Sequence, residues 1–143
     1  MKKYIFLLSV ISLVAFISCS HDADDDGQTV VYDYHAHIHH PESTDYQLGD
    51  TLEIEVEFES HTGQPVHHIN IQIYNKADHT VVYNEPAEAH VHDISGEYKY
   101  EDEFILSAAN GLTEGDWVLE ATVWGEEEGS EEISEQVEFH LNP

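Results

Sequence analysis

The sequence predicts an all-β domain built as an antiparallel sandwich of seven or eight strands. Three observations carry this. Residues 51–59 alternate strictly, with Leu52, Ile54, Val56 and Phe58 on one side and Glu53, Glu55, Glu57 and Glu59 on the other, a period of two that no helix can present as one apolar face. Shorter runs of the same kind recur down the chain, separated by Gly, Pro, Asn and Asp turn signals. Beyond the N-terminal segment, no stretch has the apolar spacing of a long helix.

Residues 1–18 read as a lipoprotein signal peptide. Lys2 and Lys3 give a basic start, residues 4–17 are almost wholly apolar, and Cys19 follows at once. The apolar run is shorter than the roughly 20 residues a spanning helix needs. Phe16-Ile17-Ser18-Cys19 resembles the bacterial lipobox in its looser Bacteroidetes form. The resemblance implies cleavage before Cys19 and lipidation of that residue. The mature chain would then be anchored to the lipid bilayer through lipidated Cys19, at the outer membrane of the bacterial cell envelope. Residues 19–28 are acidic and lack periodic apolar positions, so they read as a flexible tether. Residues 29–143 form the β-sandwich domain.

Within that domain, residues 29–38 favour a strand through Thr, Val and Tyr, and Pro41 breaks it. Residues 41–45 read as a break and 48–50 as a turn before the strand at 51–59. In 66–74, Ile69, Ile71 and Ile73 point inward with His67 on their face, while His68, Asn70 and Gln72 point outward. Residues 80–83 complete a hairpin. Residues 89–94 form a short extended segment in which His90 and His92 share a face. Residues 97–107 place Tyr98, Tyr100, Phe104 and Leu106 in one register. Residues 108–116 cross over through one helical turn. Residues 117–124 are apolar on both faces, as suits a central strand. An acidic loop at 125–129 leads to a last strand, 133–141, with Ile133, Val137, Phe139 and Leu141 on one side. Leu112-x-x-Gly115-Asp116-Trp117 resembles the turn that leads into the F strand of bacterial immunoglobulin-like modules, which implies an immunoglobulin-like sandwich. A closed barrel or jelly roll is the alternative.

Charge narrows the partners. Thirty acidic residues face four lysines and no arginine, for a net charge of −26. Without Lys2 and Lys3 the mature chain has 30 acids against two lysines, formally −28. Such a field disfavours nucleic acid and anionic surfaces and favours cations. Cys19 is the only cysteine, so there is neither an intrachain disulfide nor a multi-thiolate metal site.

The histidines are the chemical signal. Of twelve, four fall within six residues: His35, His37, His39 and His40. On a strand, His35, His37 and His39 form one row opposite Tyr34, Ala36 and Ile38. Alternate residues lie about 6.5–7 Å apart, too far for all three to reach one ion unaided. A site therefore borrows from His67, His68, and from His90 and His92. Antiparallel neighbours bring such pairs within about 5 Å of each other. A metal site drawn from His35, His37, His39, His67, His90 and His92 is expected, with zinc or copper as the ion, because imidazole suits both. The lack of methionine beyond residue 1 and of free cysteine argues against a blue-copper or soft Cu(I) site. No EF-hand spacing points to calcium. His61, His79 and His140 read as single surface or edge residues. Catalysis would need an open coordination position and a base, so binding, sensing or delivery is expected rather than an enzyme. Mild acid should weaken metal binding, because ligating imidazoles must be neutral. The alternative function is recognition of an envelope protein or glycan, which needs Trp124 and Tyr100 to form one exposed flat patch.

His35-Ala36-His37-Ile38-His39, Ile71-Gln72-Ile73-Tyr74-Asn75, His90-Val91-His92 and Trp117-Val118-Leu119-Glu120-Ala121 together resemble an uncharacterised Bacteroidetes family of His-rich lipoproteins. Its domain of unknown function is an immunoglobulin-like sandwich. The resemblance covers most of residues 30–141 and implies metal binding at His-rich strand ends, with no established catalytic role.

Overall fold

A computed structural model describes residues 32–42, 44–86, 90–93, 95–125 and 132–143, with His92 and Asp93 described through their backbone alone. The signal peptide, Cys19, the tether and the start of the predicted first strand lie outside the described residues. So do residues 126–129 of the acidic loop.

The described residues form nine strands: β1 (Tyr34–His40), β2 (Asp45–Gln47), β3 (Thr51–Ser60), β4 (Val66–Asn75), β5 (Val81–Glu85), β6 (His90–Asp93), β7 (Glu97–Ile105), β8 (Gly115–Trp124) and β9 (Ile133–Asn142). A single 3-10 turn, Ala108–Asn110, joins β7 to β8. The strands make an all-β, sandwich-like domain of two sheets. One sheet runs β1-β3-β7; the other runs β2-β9-β8-β4-β5, with β6 also paired to β4.

The core lies between the sheets. Leu52, Ile54, Val56 and Phe58 of β3 are buried against the set that includes Ile69, Ile71 and Ile73 of β4 and Leu119, Ala121 and Val123 of β8. Full burial of each such side chain contributes about 1.5–3 kcal/mol, so strict alternation on β3 fixes its register. β8 lies between β4 and β9, and the burial of both Trp117 and Val118 reflects that central position.

Three details depart from the alternation. The segment read as a break contains β2, which pairs with β9 in parallel, Tyr46 opposite Leu141. Pro41 cannot donate to the ladder, so the chain leaves the first sheet there. Tyr46 then packs edge-on against Phe139, centroids 5.7 Å apart, and β2 covers the edge of β9. The turn that follows is closed by Asp50 N donating to Gln47 O at 3.1 Å, with Gly49 at φ +104°, a conformation natural only to glycine. Ile133, on the same side in the alternation as the buried Phe139 and Leu141, is 42% exposed at the start of β9.

The third departure positions the site. Val66 and Ile69 are both wholly buried although they are three residues apart. The inward rhythm of β4 therefore slips by one residue, and the β4–β6 register shifts in the same place, between Val66 and His68. Val66, not His67, fills the core position. His67 and His68 are both left half-buried.

Candidate metal centre

The slip in β4 brings two adjacent histidines to the strand's start, where β6 pairs with it and sets His90 opposite His68. Donor atoms of His67, His68 and His90 all lie within 4.8 Å of one another. His68 Nε2 and His90 Nδ1 are hydrogen-bonded to each other at 3.3 Å. Two nitrogens bound to one tetrahedral zinc, at about 2.05 Å each, are separated by about 3.3 Å.

The tautomer of His68 is set from behind. Its Nδ1 lies 2.7 Å from Gly125 O. A carbonyl can only accept, so Nδ1 carries the proton and Nε2 holds its lone pair toward His90. Metal-ligating histidines are held in this way, with the second ring nitrogen donating to a backbone carbonyl. Trp124, 9% exposed, lies flat against His68 with centroids 5.3 Å apart and planes 8° apart. The ring is therefore fixed in both orientation and tautomer. His67 stands edge-on to His90 at 4.2 Å and to His68 at 4.7 Å. Its Nδ1 is buried without a hydrogen-bond partner among the described residues, a state that costs about 1–3 kcal/mol. The donor set is all imidazole: His67 and His68 are half-buried, His90 is exposed, and an aromatic plane backs His68.

A second group gathers where β1 begins and β3 ends, the end of the domain from which the chain enters β4. It comprises Asp33, His35 and His61, whose donor atoms also lie within 4.8 Å of one another. His61 N donates to Asp33 O at 2.9 Å, and the His35 and His61 rings stack at 4.3 Å. Tyr34, next to His35, donates its hydroxyl to Pro65 O at 2.7 Å, which ties β1 to the connection that enters β4.

The remaining β1 histidines go elsewhere. His35 and His37 lie opposite Glu59 and Glu57, and a register shift between Ile38 and His40 makes His39 the extra residue and sets His40 opposite Glu55. His39 Nε2 lies 3.1 Å from Glu57. His37 lies 3.9 Å from Glu59 and 4.0 Å from Glu135. His40 lies 3.9 Å from Glu53. The row predicted from alternation exists, but its histidines face nearby carboxylates, mostly the β3 glutamates, instead of converging on one point. Neither His37 nor His39 joins a three-donor group among the described residues. The side chain of His92 lies outside the described residues. His61, predicted to be an isolated surface residue, instead belongs to the second group. The β1–β3 register that sets Tyr34 opposite Ser60 also brings His61 to Asp33, and only that pairing reveals it.

Lys99 bridges part of the acidic face. Its Nζ lies 2.7 Å from Glu101 and 2.9 Å from Glu55. Those hydrogen bonds, Glu101's first, push the Lys99 amine above its ordinary value, and the bond to Lys99 holds the Glu55 carboxyl below its own. The adjoining open depression, about 620 Å³, is lined mainly by Glu53, Glu55, Glu101, Asp102 and Glu103, with His40 at its side. It offers one imidazole and lies away from both histidine groups. Tyr100 and Trp124 belong to different sheets, and Trp124 is buried, so they form no common exposed patch. Tyr100 and Tyr83 share a hydrogen-bonded cluster with Asp102, where burial first and the Asp102 carboxylate second push the Tyr83 phenol up.

Fold and site together define an all-β two-sheet domain whose histidine-rich end can coordinate a cation. Solved structures of similar fold include the CARDB domain of the PF1109 protein from Pyrococcus furiosus, solved in complex with di-metal ions. It is 17% identical, with a TM-score of 0.50, over 77% of this chain and 93% of that one. Spo0M, a sporulation control protein of Bacillus subtilis, is 13% identical with a TM-score of 0.50, over 78% of this chain and 49% of that one. A β-glucosidase from Listeria innocua is 12% identical with a TM-score of 0.51, over 78% of this chain but only 16% of the enzyme. At these identities the likeness is one of fold. No protein-family model and no curated protein matches the chain. No helix among the described residues is long and apolar enough to cross a membrane.

Proposed function

We propose that this chain is an immunoglobulin-like, lipid-anchored protein of the bacterial envelope that binds a divalent transition metal, zinc or copper, through His67, His68 and His90. The observation that carries the reading is the spacing of His68 Nε2 and His90 Nδ1, 3.3 Å, with the proton of His68 directed away to Gly125 O. The buried Nδ1 of His67 has no hydrogen-bond partner among the described residues, and an ion bound at that nitrogen would supply one. The di-metal ions in the CARDB domain of similar fold are consistent with it. The role is capture, sensing or delivery, which requires no proton-transferring group beside the ion.

The test is competitive zinc and copper titration of the chelator-stripped, full-length protein against a chromophoric chelator. Tight binding that is lost in His68→Ala/His90→Ala supports the reading. Binding no tighter than that of scattered surface histidines, or unchanged in the double variant, overturns it.

A further inference from the structure

The second group carries a separate inference. We infer that Asp33, His35 and His61 form a distinct divalent-cation site of mixed oxygen and nitrogen donors, with Glu59 beside the other ring nitrogen of His61.

One carboxylate stands between two imidazoles. Asp33 Oδ1 lies 3.3 Å from His35 Nε2, and Oδ2 lies 3.9 Å from His61 Nδ1. The second distance is too long for a direct hydrogen bond. Donors on one ion with bonds of about 2.1 Å lie about 3.0–3.5 Å apart at right and tetrahedral angles, and farther apart at wider ones. His61 uses its two nitrogens differently. Nδ1 faces Asp33, while Nε2 faces Glu59 Oε2 at 3.5 Å. A carboxylate behind the ring's other nitrogen is the order seen around metal-ligating histidines, and Glu59 stands there at ion-pair distance rather than in a hydrogen bond. The stacked rings of His35 and His61, 28° from parallel, present their edges toward the same carboxylate.

The donor chemistry differs from that of the imidazole triad. Asp33 and His61 are exposed and His35 is half-buried, so the site is open, and its carboxylate makes it harder. It accepts ions that the triad disfavours, Mn²⁺ among them, as well as Zn²⁺. Formal carboxylate charge at Asp33 and Glu59 favours a cation in the pocket.

The test uses full-length protein and separates this site from the triad. Zinc stoichiometry and Mn²⁺ binding, read by loss of the free-ion paramagnetic resonance signal, are measured in four forms. These are wild type, His68→Ala/His90→Ala, Asp33→Asn/His61→Ala, and all four changes together. Circular dichroism checks that each is folded. Two zinc ions are expected in wild type, one in each double variant and none in the combined form. Mn²⁺ binding should survive loss of the triad and fall at least about 10-fold in Asp33→Asn/His61→Ala. Metal binding unchanged by Asp33→Asn/His61→Ala overturns this inference while leaving the triad standing. Binding lost in that variant but retained in His68→Ala/His90→Ala overturns the triad instead and supports this site.

Discussion

The β1 row and the β4–β6 triad use the same residue in opposite ways. On β1, histidines are dense in sequence, and each of His37, His39 and His40 meets a carboxylate. On β4 and β6, three histidines come from two strands and meet one another. A single strand spreads its side chains at about 7 Å intervals, so density along one strand yields a ladder of pairs. Convergence needs a second strand and, here, a slip in the alternation that turns His67 and His68 toward one place.

The largest effect should separate these two regions directly. His68→Ala/His90→Ala removes two of three triad donors, and zinc affinity at that site should fall at least about 100-fold, since loss of even an outer partner costs 10–100-fold. His37→Ala/His39→Ala should change the same affinity less than about 3-fold. Equal losses from both would show that histidine density, not convergence, holds the ion.

The next effect concerns support. Trp124→Leu removes the plane behind His68 and should weaken zinc binding by about 10-fold, with a loss of about 1–3 kcal/mol in stability from the buried site. Trp124→Phe keeps a ring against the imidazole and should recover most of the affinity. Chelator competition reads the first quantity and urea unfolding the second. If leucine and phenylalanine behaved alike, stacking on His68 would have no part in the site.

Much of this fold is legible in the sequence because burial and strand period coincide. β3 has no alternative register that keeps Leu52, Ile54, Val56 and Phe58 inside. β8 announces its central place by being apolar on both faces. β2 was hidden because three residues beside turn signals carry no period, and their pairing depends on the distant β9. The site was only half legible. His90 and the His67-His68 pair were visible as residue types. The placement of His67 outside the core was not, since strict alternation assigns it inward and only the whole β4–β6–β8 arrangement gives that position to Val66. Asp33, His61 and the Gly125 carbonyl enter through register and chain reversal, which no local pattern encodes.

A smaller effect tests the β1 ladder. Glu57→Gln neutralises the partner of His39 and also relieves repulsion along the β3 glutamates. Exposed pairs contribute about 0–1 kcal/mol, and the two consequences oppose each other. Stability should therefore stay within about 0.5 kcal/mol of wild type, and zinc affinity should not move. A larger loss in urea unfolding would mean that the ladder clamps β1 to β3.

The smallest effect comes from a histidine pair far from both clusters. Asp116 and His140 face each other across β8 and β9, with Nδ1 2.7 Å from Oδ1. That hydrogen bond raises the His140 imidazole above its ordinary value and lowers the Asp116 carboxyl below its own. The signs then follow from linkage. The His140 contribution is fully present below the unfolded imidazole value and disappears as pH rises through the raised folded value. The Asp116 contribution is present above the unfolded carboxylate value and disappears as pH falls through the depressed folded value. The pair therefore stabilises the fold across the mildly acidic interval between them. Asp116→Asn should lower the titration midpoint of His140 in a proton NMR series, and the variant's deficit in Tm should be confined to that interval. Zinc should leave the His140 resonances in place, unlike those of His68 and His90. A His140 midpoint unmoved by Asp116→Asn would dissolve the pair. A His140 resonance that follows zinc would erase the distinction between histidines that answer a carboxylate and histidines that answer an ion.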